Sequence, residues 1–406
     1  MPGLTSVARC AAIPVAMLFL TAPAAAASYV ATSATLKSVF ANAGSGDTIV
    51  LRGSFGTTVL SGRSFASPLR IDARAARFDS TLVIRDMRGL SVTGGSYGSG
   101  TGTWQNGGTI RVEDSQAIRF TQPKLVGDGL GKARGLTFIR TDDYNVTGGS
   151  FSGFRIALAA TGTRDGVLAN NRITKSTSDG INISNSHSVI ARGNHCSGTN
   201  PSAGAHPDCI QLWSLAGNPV QSDIQLLYNT AIGETQGFTS FDPARGGGLR
   251  ISMIGNRVNT GMPQGIACYN CVDSIITDNI LTTLPGSRFR TYLRVIGGSN
   301  NIVEGNSIGP GPYPTAEPPF TTPDDPLPSS SSSGQSALFA RAALSSSFAA
   351  AAVPEPGIWA QCIIGFALLG GALRRRRSLR GGSSFQMQLQ ELAHVGQYRR
   401  AASKGF

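Results

Sequence analysis

The chain has 406 residues, of which 51 are glycine, only 14% are charged and 7% are aromatic. This composition is too glycine-rich and charge-poor for an average globular enzyme, whereas a hydrophobic content of 40% excludes a disordered chain. The formal net charge is +12, but eight basic residues and one acidic residue, Glu391, lie between Arg374 and Phe406. Because this basic cluster follows an apolar segment, it indicates membrane topology, and no nucleic-acid partner is predicted.

The first 27 residues have the organisation of a secretory signal peptide. One basic residue, Arg9, precedes an apolar run from Ala11 to Leu20, and small residues continue to Ala27. The run is shorter than the roughly 20 residues that span a bilayer, so cleavage is expected rather than anchoring. We predict a signal peptide at residues 1–27, export through the inner membrane, and a mature chain that starts near Ala27 or Ser28.

Two early segments indicate how the body of the protein begins. The first β turns are predicted near Thr48–Gly53 and Leu69–Asp72. Before them, the segment from Leu36 to Ala43 has the pattern of a short amphipathic helix. Since the open end of a repeat protein has to be covered, this helix is predicted to cap the N-terminal end.

Residues 28–309 contain a repeat in which apolar segments end at a recurrent asparagine. Its positions step by 23, 35, 27, 23 and 27 residues, at Asn171, Asn194, Asn229, Asn256, Asn279 and Asn306. Short β-branched strands between Gly, Asn and Ser turns at this period are typical of a β-solenoid, and the fixed leucines of a leucine-rich repeat are missing. The sequence predicts an all-β, single-stranded, right-handed parallel β-helix with an internal asparagine ladder.

A short strand precedes the asparagine in most repeats, and its middle residue is expected to point outwards because side chains alternate along a strand. These strands are predicted at Ile110–Val112, Phe138–Arg140, Ile156–Leu158, Ile181–Ile183, Ile210–Leu212, Ile266–Cys268 and Leu293–Val295. The register places Asn182, Gln211 and Arg294 on one outer face. We predict that these three residues bind substrate.

Two aspartates occupy equivalent places before consecutive strands. Asp179 precedes Ile181 by two residues, and Asp208 precedes Ile210 in the same way. Adjacent turns of a regular stack bring such carboxyls to within about 5 to 8 Å. This pair suits glycoside hydrolysis, in which one carboxyl protonates the leaving oxygen while the other activates water or attacks carbon, because repulsion raises one of the two pKa values. Asp179 and Asp208 are therefore predicted to be catalytic.

The same residues carry a resemblance to the polygalacturonase-like members of the pectate lyase superfamily, whose turns contain Asn-Thr-Asp-Gly-Ile followed by Asp-Asp-Cys. Thr177–Ile181 is similar to the first element, and Pro207–Ile210 is similar to the second. The likeness covers about 35 residues and departs from the family pattern, since Pro207 replaces one aspartate and neither Gly-His-Gly nor Arg-x-Lys follows. The resemblance implies a β-helix that acts on an acidic polysaccharide.

A lyase or epimerase is the competing enzymatic interpretation, in which a base removes the proton beside a uronic carboxylate and a cation neutralises that carboxylate. His206 is the predicted base and a third catalytic candidate, with His187 and His195 as other candidates. Arg250 or Arg294 is the predicted neutralising cation, and Arg250 is added to the substrate-binding set. A non-catalytic carbohydrate-binding protein, adhesin or matrix protein is the alternative, because Asp-Gly is also ordinary turn chemistry.

Four cysteines lie in the body of the protein, at Cys196, Cys209, Cys268 and Cys271. In an oxidising compartment they can form two disulfides. Although Cys268 and Cys271 have the C-x-x-C spacing, no second C-x-x-C and no histidine pair accompany them, so disulfides or free thiols are favoured over a metal site. No metal is predicted, and the sequence identifies no cofactor.

The C-terminal region begins with a Pro-, Ser- and Ala-rich linker at residues 310–352. Pro354-Glu355-Pro356 then precedes an apolar stretch at residues 357–373 and the arginine run at residues 374–377. The stretch is long enough for a transmembrane helix with a cytoplasmic arginine end. Residues 353–377 resemble the PEP-CTERM sorting signal, which implies processing by an exosortase and a final location at the cell surface or outside the cell. Residues 378–406 are a basic tail that continues past the usual end of such signals.

Overall fold

The computed structural model describes residues 25–98, 108–202, 205–214, 218, 220–240 and 247–310. Within these ranges no helix is long and apolar enough to cross a membrane. The predicted transmembrane helix, the sorting signal and the basic tail lie outside the described residues. So do the first 24 residues of the predicted signal peptide and the linker beyond Pro310.

The described residues form three long parallel sheets, because each strand pairs with its counterpart in the preceding and following repeat. The largest sheet has twelve strands: β1 (Ser28–Ala31), β2 (Thr48–Leu51), β5 (Ser64–Asp72), β8 (Arg88–Thr93), β11 (Gln116–Thr121), β14 (Asp142–Thr147), β17 (Arg164–Ala169), β20 (His187–Arg192), β23 (Gln225–Leu227), β27 (Ser252–Ile254), β31 (Ile275–Thr277) and β34 (Ile302–Glu304).

The second sheet has eleven strands within the described ranges and follows the first in each repeat. Its members are β3 (Gly53–Phe55), β6 (Ala76–Phe78), β9 (Ser96–Tyr97), β12 (Lys124–Val126), β15 (Ser150–Ser152), β18 (Arg172–Thr174), β21 (His195–Ser197), β24 (Thr230–Gly233), β28 (Arg257–Thr260), β32 (Ile280–Thr283) and β35 (Ser307–Pro310).

The third sheet, which carries the predicted site, has ten strands in the described part of the chain. They are β4 (Thr58–Ser61), β7 (Leu82–Arg85), β10 (Ile110–Glu113), β13 (Arg134–Ile139), β16 (Ile156–Thr161), β19 (Ile181–Ser184), β22 (Asp208–Trp213), β25 (Gln236–Ser240), β29 (Gln264–Tyr269) and β33 (Tyr292–Ile296). A two-stranded pair, β26 (Gly248–Leu249) and β30 (Cys271–Val272), completes the strands. The predicted parallel β-helix is confirmed as an all-β solenoid of the right-handed type.

The interior of the solenoid is filled by rows of apolar side chains that stack from repeat to repeat. On the eleven-stranded sheet the rings of Phe55 and Phe78 stack at 5.2 Å, and those of Phe78 and Tyr97 stack at 4.8 Å. On the ten-stranded sheet Ile181, Ile183, Ile210 and Leu212 are completely buried. Residues that alternate with these inward positions therefore lie on the outer face of the sheet.

The predicted asparagine ladder is confirmed. From Asn171 to Asn279, each side-chain amide donates a hydrogen bond of 2.8–3.1 Å to the side-chain oxygen of the asparagine in the next repeat, and Asn306 is the last acceptor. The same amides also bond to backbone carbonyls, such as that of Ala191 for Asn229. The recurrent asparagine is thus a structural residue, since it satisfies buried backbone groups at the turn.

Two of the predicted strand positions on the ten-stranded sheet were wrong by two residues. Ile110 pairs with Leu136 rather than with Phe138, and Leu158 rather than Ile156 pairs with Ile181. Both strands are six residues long. Because side chains repeat every second residue, a shift by two leaves the same face outwards, so alternation alone could not fix the register.

The N-terminal helix is confirmed, although it does not begin the fold. Helix α1 spans Leu36–Asn42 and buries Leu36 and Phe40, as expected for a cap. Strand β1 precedes it and pairs with β2, so the first repeat begins earlier than the sequence predicted.

Candidate functional site

Asp179 lies two residues before β19, and Asp208 is the first residue of β22, the adjacent strand of the ten-stranded sheet. The register pairs Asn182 with Gln211. Asp179 lies three residues before Asn182, and Asp208 lies three residues before Gln211. Gly180 allows the close approach, because a Cβ at this position would lie 2.7 Å from the carbonyl oxygen of Cys209. The structure therefore brings together four of the seven predicted site residues.

The Asp179 carboxylate accepts hydrogen bonds from both neighbouring segments. The side-chain amide of Asn182 donates to Oδ2 at 2.9 Å, and the backbone amide of Asp208 donates to Oδ1 at 3.3 Å. Since Asn182 is an outward-facing residue, the carboxylate lies on the outer side of the sheet. The nearby charge of Arg155 also favours the ionised form of Asp179.

The Asp208 carboxylate is held by its own strand, β22, and by the next strand, β25. Gln211 donates its side-chain amide to Oδ2 at 3.2 Å, and the hydroxyl of Thr239 donates to Oδ1 at 2.9 Å. Gln211 and Thr239 pair with each other in the outward row of the sheet. Both carboxylates are therefore bonded into one network that crosses β19, β22 and β25.

Both aspartates are buried, with 4% of Asp179 and 1% of Asp208 exposed. Burial raises the pKa of Asp179, opposed chiefly by the hydrogen bond from Asn182. Burial, followed by the adjacent charge of Asp179, raises the pKa of Asp208 well above its ordinary value. Arg155 and the backbone amide of Asp208 support a negative charge on Asp179, so we expect the pair to hold its proton on Asp208.

Trp213 orients the amides that contact the aspartates. Its indole N–H donates to the side-chain oxygen of Asn182 at 2.7 Å, and the Asn182 amide in turn donates to the side-chain oxygen of Gln211 at 2.9 Å. Trp213 pairs with Ser184 in the outward row two residues further along the sheet. It is half-buried, so part of the indole remains open to solvent.

A disulfide fixes the loop that leads to Asp208. Cys196, on the eleven-stranded sheet, is bonded to Cys209. Within the loop, the backbone amides of Asn200 and Ser202 donate to the carbonyls of Ser176 and Thr177, in the segment just before Asp179. The disulfide and these hydrogen bonds attach the Asp208 loop to the turn that carries Asp179.

The other three predicted site residues differ from the aspartates in their surroundings. His206 is exposed on the loop before Asp208. Arg250 forms a bidentate ion pair with Asp223, at 2.6 and 2.7 Å, beside the twelve-stranded sheet. Arg294 lies in the same outward row as Gln211 but three strands away, which corresponds to about 14 Å.

The remaining histidine candidates also lie outside the aspartate network. His187 begins β20 on the twelve-stranded sheet and shares a 3.0 Å hydrogen bond with the hydroxyl of Ser222. His195 begins β21 on the eleven-stranded sheet and is buried. The histidines that lie close together in the sequence are therefore placed on different sheets and on a loop.

The second pair of body cysteines, Cys268 and Cys271, also forms a disulfide. In the described part of the chain, no group of three or more His, Cys, Asp or Glu side chains is arranged to hold a metal ion. The C-x-x-C spacing thus belongs to a covalent bridge between β29 and β30.

Three residues of the network escaped the sequence analysis: Arg155, Trp213 and Thr239. Thr239 shares the outward row of the predicted residues, and Trp213 lies in the next outward row, so an alignment of the strands could have identified them. Arg155 precedes β16, one of the strands whose register was predicted two residues out. Its proximity to Asp179 depends on the tertiary structure.

No protein-family model matches the chain, and no curated protein sequence does either. Among solved structures, an alginate lyase from Paenibacillus sp. strain FPU-7 is similar, with 14% identity, a TM-score of 0.45, and coverage of 68% of this chain and 99% of that chain. A polygalacturonase from Erwinia carotovora has 11% identity and a TM-score of 0.38, over 71% and 97% of the two chains. PfbA, a surface adhesin of Streptococcus pneumoniae, has 9% identity and a TM-score of 0.39, over 68% and 86%.

Proposed function

We propose that this protein binds an acidic polysaccharide along the outer face of its ten-stranded sheet and hydrolyses glycosidic bonds there. The observation that carries the proposal is the pair formed by Asp179 and Asp208, which the hydrogen bond from the Asp208 backbone amide to the Asp179 carboxylate brings together. Asp208, whose pKa is raised well above its ordinary value, is the proton donor to the leaving oxygen. Asp179, supported by Asn182 and Arg155, is the carboxylate that activates water or attacks carbon.

Elimination or epimerisation is less well supported by the geometry. Those reactions need a base beside the sugar and a cation that neutralises the uronic carboxylate. Of the two predicted cations, Arg250 is engaged by Asp223, and Arg294 lies about 14 Å from Gln211 along the sheet. The predicted base, His206, is exposed to solvent on the loop before Asp208.

A second candidate function is carbohydrate binding without turnover, as in an adhesin or matrix protein. The burial of both carboxylates favours it, because every carboxylate oxygen of Asp179 and Asp208 already accepts a hydrogen bond. A substrate has to displace the amide of Asn182 or Gln211 to reach them. Trp213 and the side-chain amides of Asn182 and Gln211 would contact the sugar whether or not it is cleaved.

Incubation of the purified protein with uronic-acid polymers distinguishes these functions when reducing ends and unsaturated products are measured separately. We expect reducing ends without unsaturated products. Asp179→Asn and Asp208→Asn should each lower the rate by about 100-fold or more. Asp223→Asn, on the twelve-stranded side, is the matched control and should keep the wild-type rate. Unsaturated products would identify a lyase, and retained binding without any cleavage would leave the non-catalytic function.

We also propose that the chain is exported and sorted to the cell surface by an exosortase-type enzyme. The signal-peptide pattern at residues 1–27 and the sorting-signal resemblance at residues 353–377 support this. The disulfides Cys196–Cys209 and Cys268–Cys271 agree with an oxidising compartment. Mass spectrometry of the mature protein should find an N-terminus near Ser28 and no peptide beyond the Pro-Glu-Pro motif. Detection of the intact ends in the mature protein would reject the proposed processing.

A further inference from the structure

A chain of side-chain hydrogen bonds on the ten-stranded sheet begins at the indole of Trp213 and ends at the two carboxyls. The Trp213 N–H donates to the side-chain oxygen of Asn182 at 2.7 Å. The amide of Asn182, which has two N–H groups, donates to Asp179 and to the side-chain oxygen of Gln211, at 2.9 Å in both cases. The Gln211 amide then donates to Asp208 at 3.2 Å. Every bond in this chain therefore has its donor on the side of the indole.

The chemistry of the indole sets this direction. An indole N–H can only donate, so the atom of Asn182 that faces it has to be the oxygen. The amide nitrogen of Asn182 then faces Asp179, and it also orients Gln211 through the oxygen of that side chain. If the Asn182 amide turned over, two donors would face each other at Trp213 and a hydrogen bond would be lost. This loss favours the observed orientation by about tenfold or more.

The two orientations of an amide favour opposite protonation states of the carboxyl that it faces. An amide N–H stabilises an ionised carboxylate, whereas an amide oxygen can only accept a hydrogen bond from a protonated carboxyl. Burial raises the pKa of Asp179, and the hydrogen bond from Asn182 is the largest effect that opposes this rise. Only 7% of Asn182 is exposed, so water has little access to take the place of its amide.

Trp213 acts on the aspartates through Asn182. Among the described residues, its indole N–H bonds to the oxygen of Asn182 and to neither carboxyl. Trp213 is the last residue of β22 and pairs with Ser184 on β19, so the sheet register fixes its position beside Asn182. An effect of Trp213 on the carboxyls therefore has to pass through the orientation of the amides.

Resting on the proposed function, we infer that Trp213 is a positioning residue that keeps Asp179 in its carboxylate form by fixing the orientation of the Asn182 and Gln211 amides. Without the indole N–H, both amides can turn over, and their oxygens then accept hydrogen bonds from protonated carboxyls. At the pH where this occurs, the pair lacks the carboxylate that activates water or attacks carbon. Trp213 thus sets the lower pH limit of the reaction.

Trp213→Phe tests the inference, because an aromatic ring stays at this position and the N–H donor is lost. The two carboxyls are titrated in the full-length protein by NMR of aspartate labelled with carbon-13 at the carboxyl group. The lower titration step, at which Asp179 ionises, should move up by about one pH unit. Tyr269→Phe is the matched control, two repeats further along the same outward row, and should leave both steps in place.

Gln211→Met separates the two ends of the hydrogen-bond chain. This variant removes the donor to Asp208 and keeps the bond from Trp213 to Asn182, so only the upper titration step should rise. An unchanged lower step in Trp213→Phe would overturn the inference, and so would an equal rise of the lower step in Gln211→Met. If Trp213→Phe does not fold, Trp213→Leu at this half-buried position provides the same test.

The role of Trp213 and the hydrolytic function can fail separately, because the titration does not depend on cleavage. If the lower step moves as expected but the wild-type protein releases no reducing ends, hydrolysis is rejected and the role of Trp213 stands. If cleavage occurs, the acidic limb of kcat/KM in Trp213→Phe should move up by the same interval as the lower step. A loss of activity at every pH without this shift would reject the inference and leave Trp213 as a substrate contact.

Discussion

The backbone amide of Asp208 donates a hydrogen bond to the carboxylate of Asp179 in the preceding repeat. The bond joins two equivalent positions of the solenoid and places the second carboxyl beside the first. Because both side chains are buried there, the charge of one raises the pKa of the other. This arrangement leads to predictions for stability and for activity.

The stability of the protein should depend on pH through Asp208. A carboxyl whose pKa is raised in the folded state favours folding when protonated, and this stabilisation is lost as pH rises above the unfolded value near 3.8. Asp208→Asn removes this loss, so the stability of the variant relative to the wild type should increase as pH rises from about 3.8 through the raised pKa of Asp208. The gain should be about 1.4 kcal/mol for each unit by which the pKa is raised. Urea unfolding at a series of pH values measures it.

Asp223→Asn provides a control of opposite sign. The ion pair with Arg250 lowers the pKa of Asp223, so this carboxylate stabilises the fold above pH 4 and loses that effect as pH falls. Since the pair is on the surface, its removal should cost less than about 1 kcal/mol at neutral pH. Parallel pH profiles for the two variants would contradict the assignment of the raised pKa to Asp208.

The hydroxyl of Thr239 should set the upper pH limit of activity. Its hydrogen bond to Asp208 favours the ionised carboxylate and so holds the pKa down against burial. Thr239→Val should raise the pKa of the proton donor, and the alkaline limb of kcat/KM should move up by about 0.5 to 1 pH unit. Thr282→Val, on the eleven-stranded sheet, should leave the profile in place. An upward shift of the acidic limb, with the alkaline limb unchanged, would mean that Asp208 acts as the base.

The asparagine ladder should contribute most in its middle. Asn229 is completely buried and bonds to Asn194, Asn256 and the carbonyl of Ala191. Asn229→Ala should cost about 3 kcal/mol or more, because several buried groups lose their partners together. Asn306→Ala, at the last rung of the described ladder, should cost about half as much or less. If equilibrium unfolding shows the same loss of stability for both variants, the contribution of an asparagine does not depend on having a ladder neighbour on each side.

The two disulfides should differ in their effect on activity. Cys196 and Cys209 are 13 residues apart, whereas Cys268 and Cys271 are 3 apart. Double serine replacement should cost about 3 kcal/mol for the first and about 2 kcal/mol for the second through loop entropy. Only the first should also lower cleavage, because Cys209 directly follows Asp208. Unfolding and rate measurements on both double variants check this, and equal losses of activity would argue against a positioning role of the Cys196–Cys209 bond.

Local chemistry made much of the architecture predictable. The spacing of Asn171 to Asn306 predicted the repeat, because a ladder of identical amides needs one asparagine in every turn. The equivalence of Asp179 and Asp208 followed from their identical offset before Ile181 and Ile210. Strands without such a marker, like β13, were placed two residues out, since alternation permits every even shift.

The sequence by itself determined the parallel β-helix and the adjacency of the two aspartates, because both follow from periodic positions along the chain. Only the tertiary structure decided what surrounds the carboxyls. Arg155 and Thr239 come from other repeats, while His206, Arg250 and Arg294 prove to be distant or exposed. Contacts across repeats depend on exact register, loop course and burial, and these physical quantities have no periodic signature in the amino-acid sequence.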